Sequence, residues 1–120
     1  EAKTVKARHM YVFGFAASFK NSVVYVTEIQ DVQGAMYDTK TKFLLGRDSY
    51  SDQLKTYFRE TMQMPNRVCM VMFSTSKKKA EKQYLKLRSK YLSDKKHTSS
   101  YEVRYVTMQD FKFEPVGLDE

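Results

Sequence analysis

The chain has 120 residues, 42% of them apolar with 8 Phe and 9 Tyr, and a net charge of +7. A chain of that length forms one domain, removes roughly two thirds of its unfolded surface from water, and carries too much apolar content for wholesale disorder. No apolar run approaches the ~20 residues of a membrane-spanning helix, and one cysteine excludes an intramolecular disulfide or a cysteine metal pair.

Residues 1–8 are polar and are expected to be flexible. From Met10 to Phe19, Tyr11, Phe13, Phe15 and Phe19 occupy one alternation and Met10, Val12 and Ala16 the other. A strand apolar on both faces is central or covered on both sides. Lys20, Asn21 and Ser22 read as a turn, and the β-branched run 23–29 completes a β-hairpin. Residues 30–49 lack clear periodicity. A structureless loop of ~20 residues is unusual in a compact domain, so part of the segment should pack or form a short extra strand. A lid or binding loop would lie most naturally here.

Ser49 or Ser51 can cap a helix reaching about Met62, with Ser49 and Asp52 as a weak capping box. Tyr50, Leu54, Tyr57, Phe58 and Thr61 make its stripe. Pro65 and Asn66 end the segment and open a strand at 67–73. A second helix over about 76–92 buries Ala80, Tyr84, Leu87 and Tyr91, supported by Leu85 and Leu92. It turns Lys78, Lys82, Lys86 and Lys90 away. A polar connection at 93–100 leads to a last strand, with Tyr101, Val103 and Tyr105 facing the core and Glu102 and Arg104 facing out. Phe111 and Phe113 read as its extension, before a flexible tail at 115–120. The order β-β-α-β-α-β predicts an α/β domain spanning 1–120, α+β-like and two-layered, with a mixed four-stranded sheet and two helices. Two crossovers make the strands near 23–29, 67–73 and 101–108 run together, with the first strand opposed.

The charge is concentrated. Between Arg67 and Arg104, eleven Lys or Arg stand against three acids, a net +8, so the rest of the chain carries −1. Within that stretch Ser74, Thr75, Ser76, Lys77, Lys78 and Lys79 form the sharpest candidate site. A helix N-terminus at the carboxyl end of a strand presents unpaired N–H groups and a positive dipole end to an anion. Lysine in a first turn opposes that dipole by ~0.3–1 kcal/mol per charge, whereas burying Tyr84, Leu87 and Tyr91 contributes ~1.5–3 kcal/mol each. The helix forms without help from its lysines. They serve either an anion site or plain solubility, and no GxxxxGK[ST] or GxGxxG accompanies them.

The alternative is nucleic-acid binding by the basic 77–90 helix, with Tyr101 and Tyr105 as stacking surfaces. Arginine is sparse there, and no RNA- or DNA-binding motif is visible. Enzymatic activity is not expected. His9 and His97 are separated and solvent-facing, Cys69 sits in an apolar strand as an inert small hydrophobe, and Glu28, Asp31, Asp48 and Asp52 lack metal-ligand spacing. No cofactor or metal is expected. An interaction module or homodimer using an exposed sheet edge needs nothing that the sequence lacks.

The run Ser22–Gln30 and the piece Met64–Cys69, followed by Lys77–Lys82, resemble small uncharacterised exported proteins of Bacteroidetes. The resemblance covers most of the chain. It implies a signal peptide before Glu1 and a periplasmic or secreted location, and it brings no catalytic residues. A chain beginning at Glu fits a removed signal; a removed tag or an internal boundary fits as well. The expected function is that of an exported binding module for an anionic ligand or an acidic protein or surface.

Overall fold

A computed structural model describes residues 3–92 and 101–117. Its elements in chain order are β1 (Thr4–Lys6), β2 (Tyr11–Ala17), β3 (Val23–Thr27), β4 (Gln30–Asp31), β5 (Met36–Asp38), α1 (Arg47–Thr56), a π-helical turn (Tyr57–Thr61), β6 (Val68–Ser74), α2 (Lys77–Leu92) and β7 (Glu102–Val106). The chain is an α/β domain with a mixed sheet, as predicted. The connection at 93–100, with His97, lies outside the described residues.

β2 is the centre of the main sheet. It pairs antiparallel with β6 on one side, from Tyr11↔Ser74 to Ala17↔Val68, and with β3 on the other. β3 in turn pairs parallel with β7. The strands β3, β6 and β7 therefore run together against β2, as the crossover argument requires.

β4 continues β3 beyond a bulge. Phe15↔Val26 and Ala16↔Tyr25 precede it, and Tyr11↔Asp31 and Val12↔Gln30 follow with one extra residue on the second strand. The extra residue lets the chain turn aside. Glu28 now donates its N–H to the Val106 carbonyl at 3.0 Å. The hydroxyl of buried Thr27 accepts the Gly14 N–H at 2.8 Å, taking the place of the lost ladder bond.

The helices cover opposite faces, so the fold has three layers where two were expected. Leu54, Tyr50 and Phe58 pack against Val12, Ala16, Tyr25 and Val71. Tyr84, Leu87 and Tyr91 pack against Phe13, Phe15, Val24 and Val26 on the other side. The cause is the double apolarity of β2, which leaves neither face able to meet water. Gly14 permits the close approach of α1: a Cβ there would stand 2.5 Å from Leu54 Cδ2.

Several boundaries differ from expectation. The polar N-terminus contains β1, which pairs with β5 in a two-stranded ribbon, while Ala7 and Thr39 bond across to Ala35 and Lys3. α1 begins at Arg47, and its cap is Gly46 at φ 72°, with no side-chain cap from Ser49 or Ser51. Leu85 is 55% exposed rather than packed.

Phe111 and Phe113 leave the sheet and run beneath α1, against Tyr57 and Tyr50. Two glutamine side chains hold this tail as a strand partner would. Gln30 donates to the Phe111 carbonyl and accepts from the Phe113 N–H, and Gln53 does both for Glu114. Val116 then donates its N–H to Tyr50 Oη at 2.9 Å. Val116 is thereby joined to α1, and 118–120 lie outside the described residues.

Candidate functional site

The turn between β6 and α2 is built by its serines. Ser76 Oγ accepts the N–H of Lys79 at 3.3 Å, the Ser76 carbonyl accepts that of Ala80, and Ser74 Oγ accepts that of Ser76 at 3.0 Å. This is side-chain capping of a helix start. Among the described residues, the N–H groups of Lys77 and Lys78 have no partner.

Facing this turn is the segment 38–47. Asp38 Oδ1 accepts the N–H groups of Lys40 and Thr41 at 2.8 and 2.9 Å. Those backbone N–H groups hold its carboxyl below the usual carboxylate range. The loop closes with Lys42 donating to the Asp38 carbonyl and Asp38 to that of Phe43. Lys42 adopts φ 67°, a left-handed conformation that costs a side-chain-bearing residue roughly 1–2 kcal/mol. Gly46 takes the same sign of φ without that penalty and launches Arg47 as the first residue of α1.

Arg47 reaches the border of the sheet. Its guanidinium donates to the Val71 carbonyl at 3.1 Å and lies 5.4 Å from the Phe73 ring centre. Phe43 meets Phe73 edge to face. Between the two segments lies a cleft of about 380 Å³. Lys42, Arg47 and Lys79 are the charged residues of its lining among those described, with Ser74, Thr75 and Ser76 supplying hydroxyls; no carboxylate of the described residues lines it. A wider hollow of about 540 Å³ beside the tail mixes Asp52 and Glu114 with Lys112 and has no single sign.

Of the six predicted site residues, Ser74, Thr75, Ser76 and Lys79 line the cleft, while Lys77 and Lys78 are exposed and do not. The opposing half, Lys42 and Arg47, was missed. Its only signal in the sequence was the irregular 30–49 segment, expected to hold a lid or binding loop.

The rest of the basic stretch divides. Arg67 is buried, donating to the Val23 carbonyl and lying over Tyr25. Arg104 pairs with Glu102 at 2.6 Å on the face opposite α2. Tyr101 and Tyr105 are not core residues: they are 38% and 46% exposed. Tyr105 is held by Arg88 through its hydroxyl at 2.8 Å, and Tyr101 meets Tyr91 edge to face.

The catalytic alternatives do not assemble among the described residues. Cys69 is opposite Ala16, seven residues along the chain from His9, which is roughly 20 Å of strand. His9 pairs with Asp31 at 2.7 Å, and Glu28 accepts the Met108 N–H at 2.9 Å. No group of described residues has the makings of a metal site, and no described helix is long and apolar enough to cross a membrane.

Comparison with protein-family models, with curated proteins and with solved structures gave no match to this chain.

Proposed function

We propose that the chain is a non-enzymatic binding module whose ligand presents an oxyanion, such as a phosphate, sulfate or carboxylate group, to the cleft between residues 41–47 and the β6–α2 turn. The observation that carries this reading is the convergence of Lys42, Arg47 and Lys79 on one cleft that no acid of the described residues lines. Three cations around a concave surface repel one another, and an anion relieves that repulsion. The positive end of the α2 dipole, at Ser76 beside the cleft, adds to the attraction. The strained backbone of Lys42 fits the same purpose, since strain of this kind collects at ligand-binding positions.

Nucleic-acid binding by the 77–90 helix is the lesser reading. Tyr91, Tyr101 and Tyr105 are engaged by one another or by Arg88, which leaves little aromatic surface for bases to stack on. The resemblance to exported Bacteroidetes proteins supports a periplasmic or secreted location. The upstream gene sequence tests this: a charged segment followed by an apolar one before Glu1 is expected.

The test of the site is a titration with inorganic phosphate or sulfate at low salt, followed by backbone amide resonances. Shifts are expected at Ser76–Ala80 and at Lys42 and Arg47, reduced in Lys42→Gln and Lys79→Gln. Amides that do not move would remove the site. A salt-sensitive complex with single- or double-stranded oligonucleotides, perturbing Lys82, Lys86 and Lys90 instead, would favour the other reading.

A further inference from the structure

The two borders of the main sheet are finished differently. Along β6, Arg47 occupies the Val71 carbonyl and Val71 is fully buried. Lys79 and Gln83 flank the same border, and Lys86 and Lys90 continue their row at helical spacing. Covering and lysine decoration are the ordinary ways of closing an edge.

β7 forms the opposite border. Glu102 donates to the Ser22 carbonyl and the Val106 carbonyl accepts from Glu28. In a parallel ladder these bonds turn the main-chain groups of Glu102, Arg104 and Val106 toward β3. The N–H and C=O groups of Val103 and Tyr105 therefore point outward, and among the described residues no strand receives them.

The residues of this border are chemically symmetric about Val103: tyrosine at 101 and 105, opposite charges at 102 and 104. We propose that β7 pairs antiparallel with β7 of a second copy about a two-fold axis through Val103. Val103 then meets Val103, each Glu102 meets Arg104 of the other copy, and each Tyr101 meets Tyr105.

Register decides the case. Outward-pointing groups sit on odd residues, so only registers that set odd against odd can form the ladder. A slip of one residue sets odd against even and fails. Moving the axis to Arg104 puts arginine opposite arginine, and moving it to Glu102 puts glutamate opposite glutamate. Only the axis at Val103 satisfies both the hydrogen bonds and the charges. The ion pair that Arg104 makes with Glu102 of its own chain brings the two groups side by side, ready to form a four-charge ladder across the axis. On the other face, Tyr105 and the exposed Leu85 of α2 supply apolar area. A border of five residues falls short of the roughly 800 Å² per partner of stable complexes, so the dimer forms in the micromolar range or above.

Sedimentation equilibrium of the full chain from micromolar to millimolar concentration tests this, with folding of every variant checked by thermal melting. The wild type is expected to rise above the 14.2 kDa of one chain. Glu102→Arg and Arg104→Glu each place two like-charge pairs in the interface and should weaken association about tenfold or more. Mixing the two variants restores complementarity, so the mixture should associate where each alone does not. The double variant E102R/R104E keeps both the ion pair and the symmetry and should behave as the wild type. A wild type that stays at one chain mass at millimolar concentration overturns the proposal. So do single variants that associate normally, or a mixture that fails to recover.

Discussion

The hydroxyl of Thr27 accepts the Gly14 N–H and donates to the Glu28 carbonyl, so one buried side chain joins both strands across the bulge. Thr27→Val keeps the shape and leaves the Gly14 N–H without a partner, a loss of about 1–3 kcal/mol. Denaturant unfolding should read that loss, and Thr27→Ser should recover most of it. Nothing in the run Val23–Ile29 distinguished Thr27 from its β-branched neighbours, because its task exists only once the register slips by one residue.

Cys69, by contrast, behaves as its flanks Val68 and Met70 predicted. Burial pushes its thiol up to about 11, against the smaller opposing pull of Lys55 and Arg67. At pH 8 it should alkylate about a hundredfold more slowly than an unperturbed thiol, with the rate still climbing near pH 11. The unfolded chain ionises first, so this thiol's contribution to stability is full below the unfolded pKa and declines as pH rises through the window between the two values. A rate that levels off by pH 9 would contradict the assignment.

Among the elements, α2 shows most plainly which forces decide. Tyr84 packs on Phe13 with ring centres 5.4 Å apart, and Tyr91 on Phe15 at 5.0 Å. Against such packing, the adverse placement of Lys77 at the dipole's positive end is a small term. Lys77→Glu should therefore stabilise the protein by ~0.3–1 kcal/mol at low ionic strength, and the gain should shrink as salt is added. A lower melting temperature would mean that Lys77 makes a contact the fold needs. α1 is the instructive contrast. Its Ser49–Asp52 pattern resembles a cap, yet the helix starts two residues before Ser49 because Gly46 is forced to positive φ. Leu45 is bonded to Met36 there, and Val116 lies so near that a Cβ at position 46 would stand 2.6 Å from its Cγ1. Partners ten and seventy residues away set that boundary, and local pattern cannot see them.

Across the whole molecule, the class and the strand directions were legible because they rest on periodicity and chain order. The third layer was half legible in Met10–Phe19, whose two apolar alternations need two covers. The path of Phe111 and Phe113 was not, since it depends on Gln30 and Gln53, polar residues whose buried role appears only when the tail arrives. The candidate site divides in the same way. Ser74–Ser76 and Lys79 form one local strand–turn–helix and could be read directly. Lys42 and Arg47 belong to a loop whose landing place is tertiary.

Arg47 has one more effect, on how far copies of the chain can add to one another. A sheet with two receptive borders is a bifunctional unit and can propagate without limit. By seating its guanidinium on Val71, Arg47 covers the β6 side of the main sheet, so that, on the pairing proposed above, β7 is the border of that sheet left to a second copy among the described residues. If β7 pairs as proposed, addition to this sheet would end at two copies, and an aromatic, β-rich border would be spent without seeding a fibre.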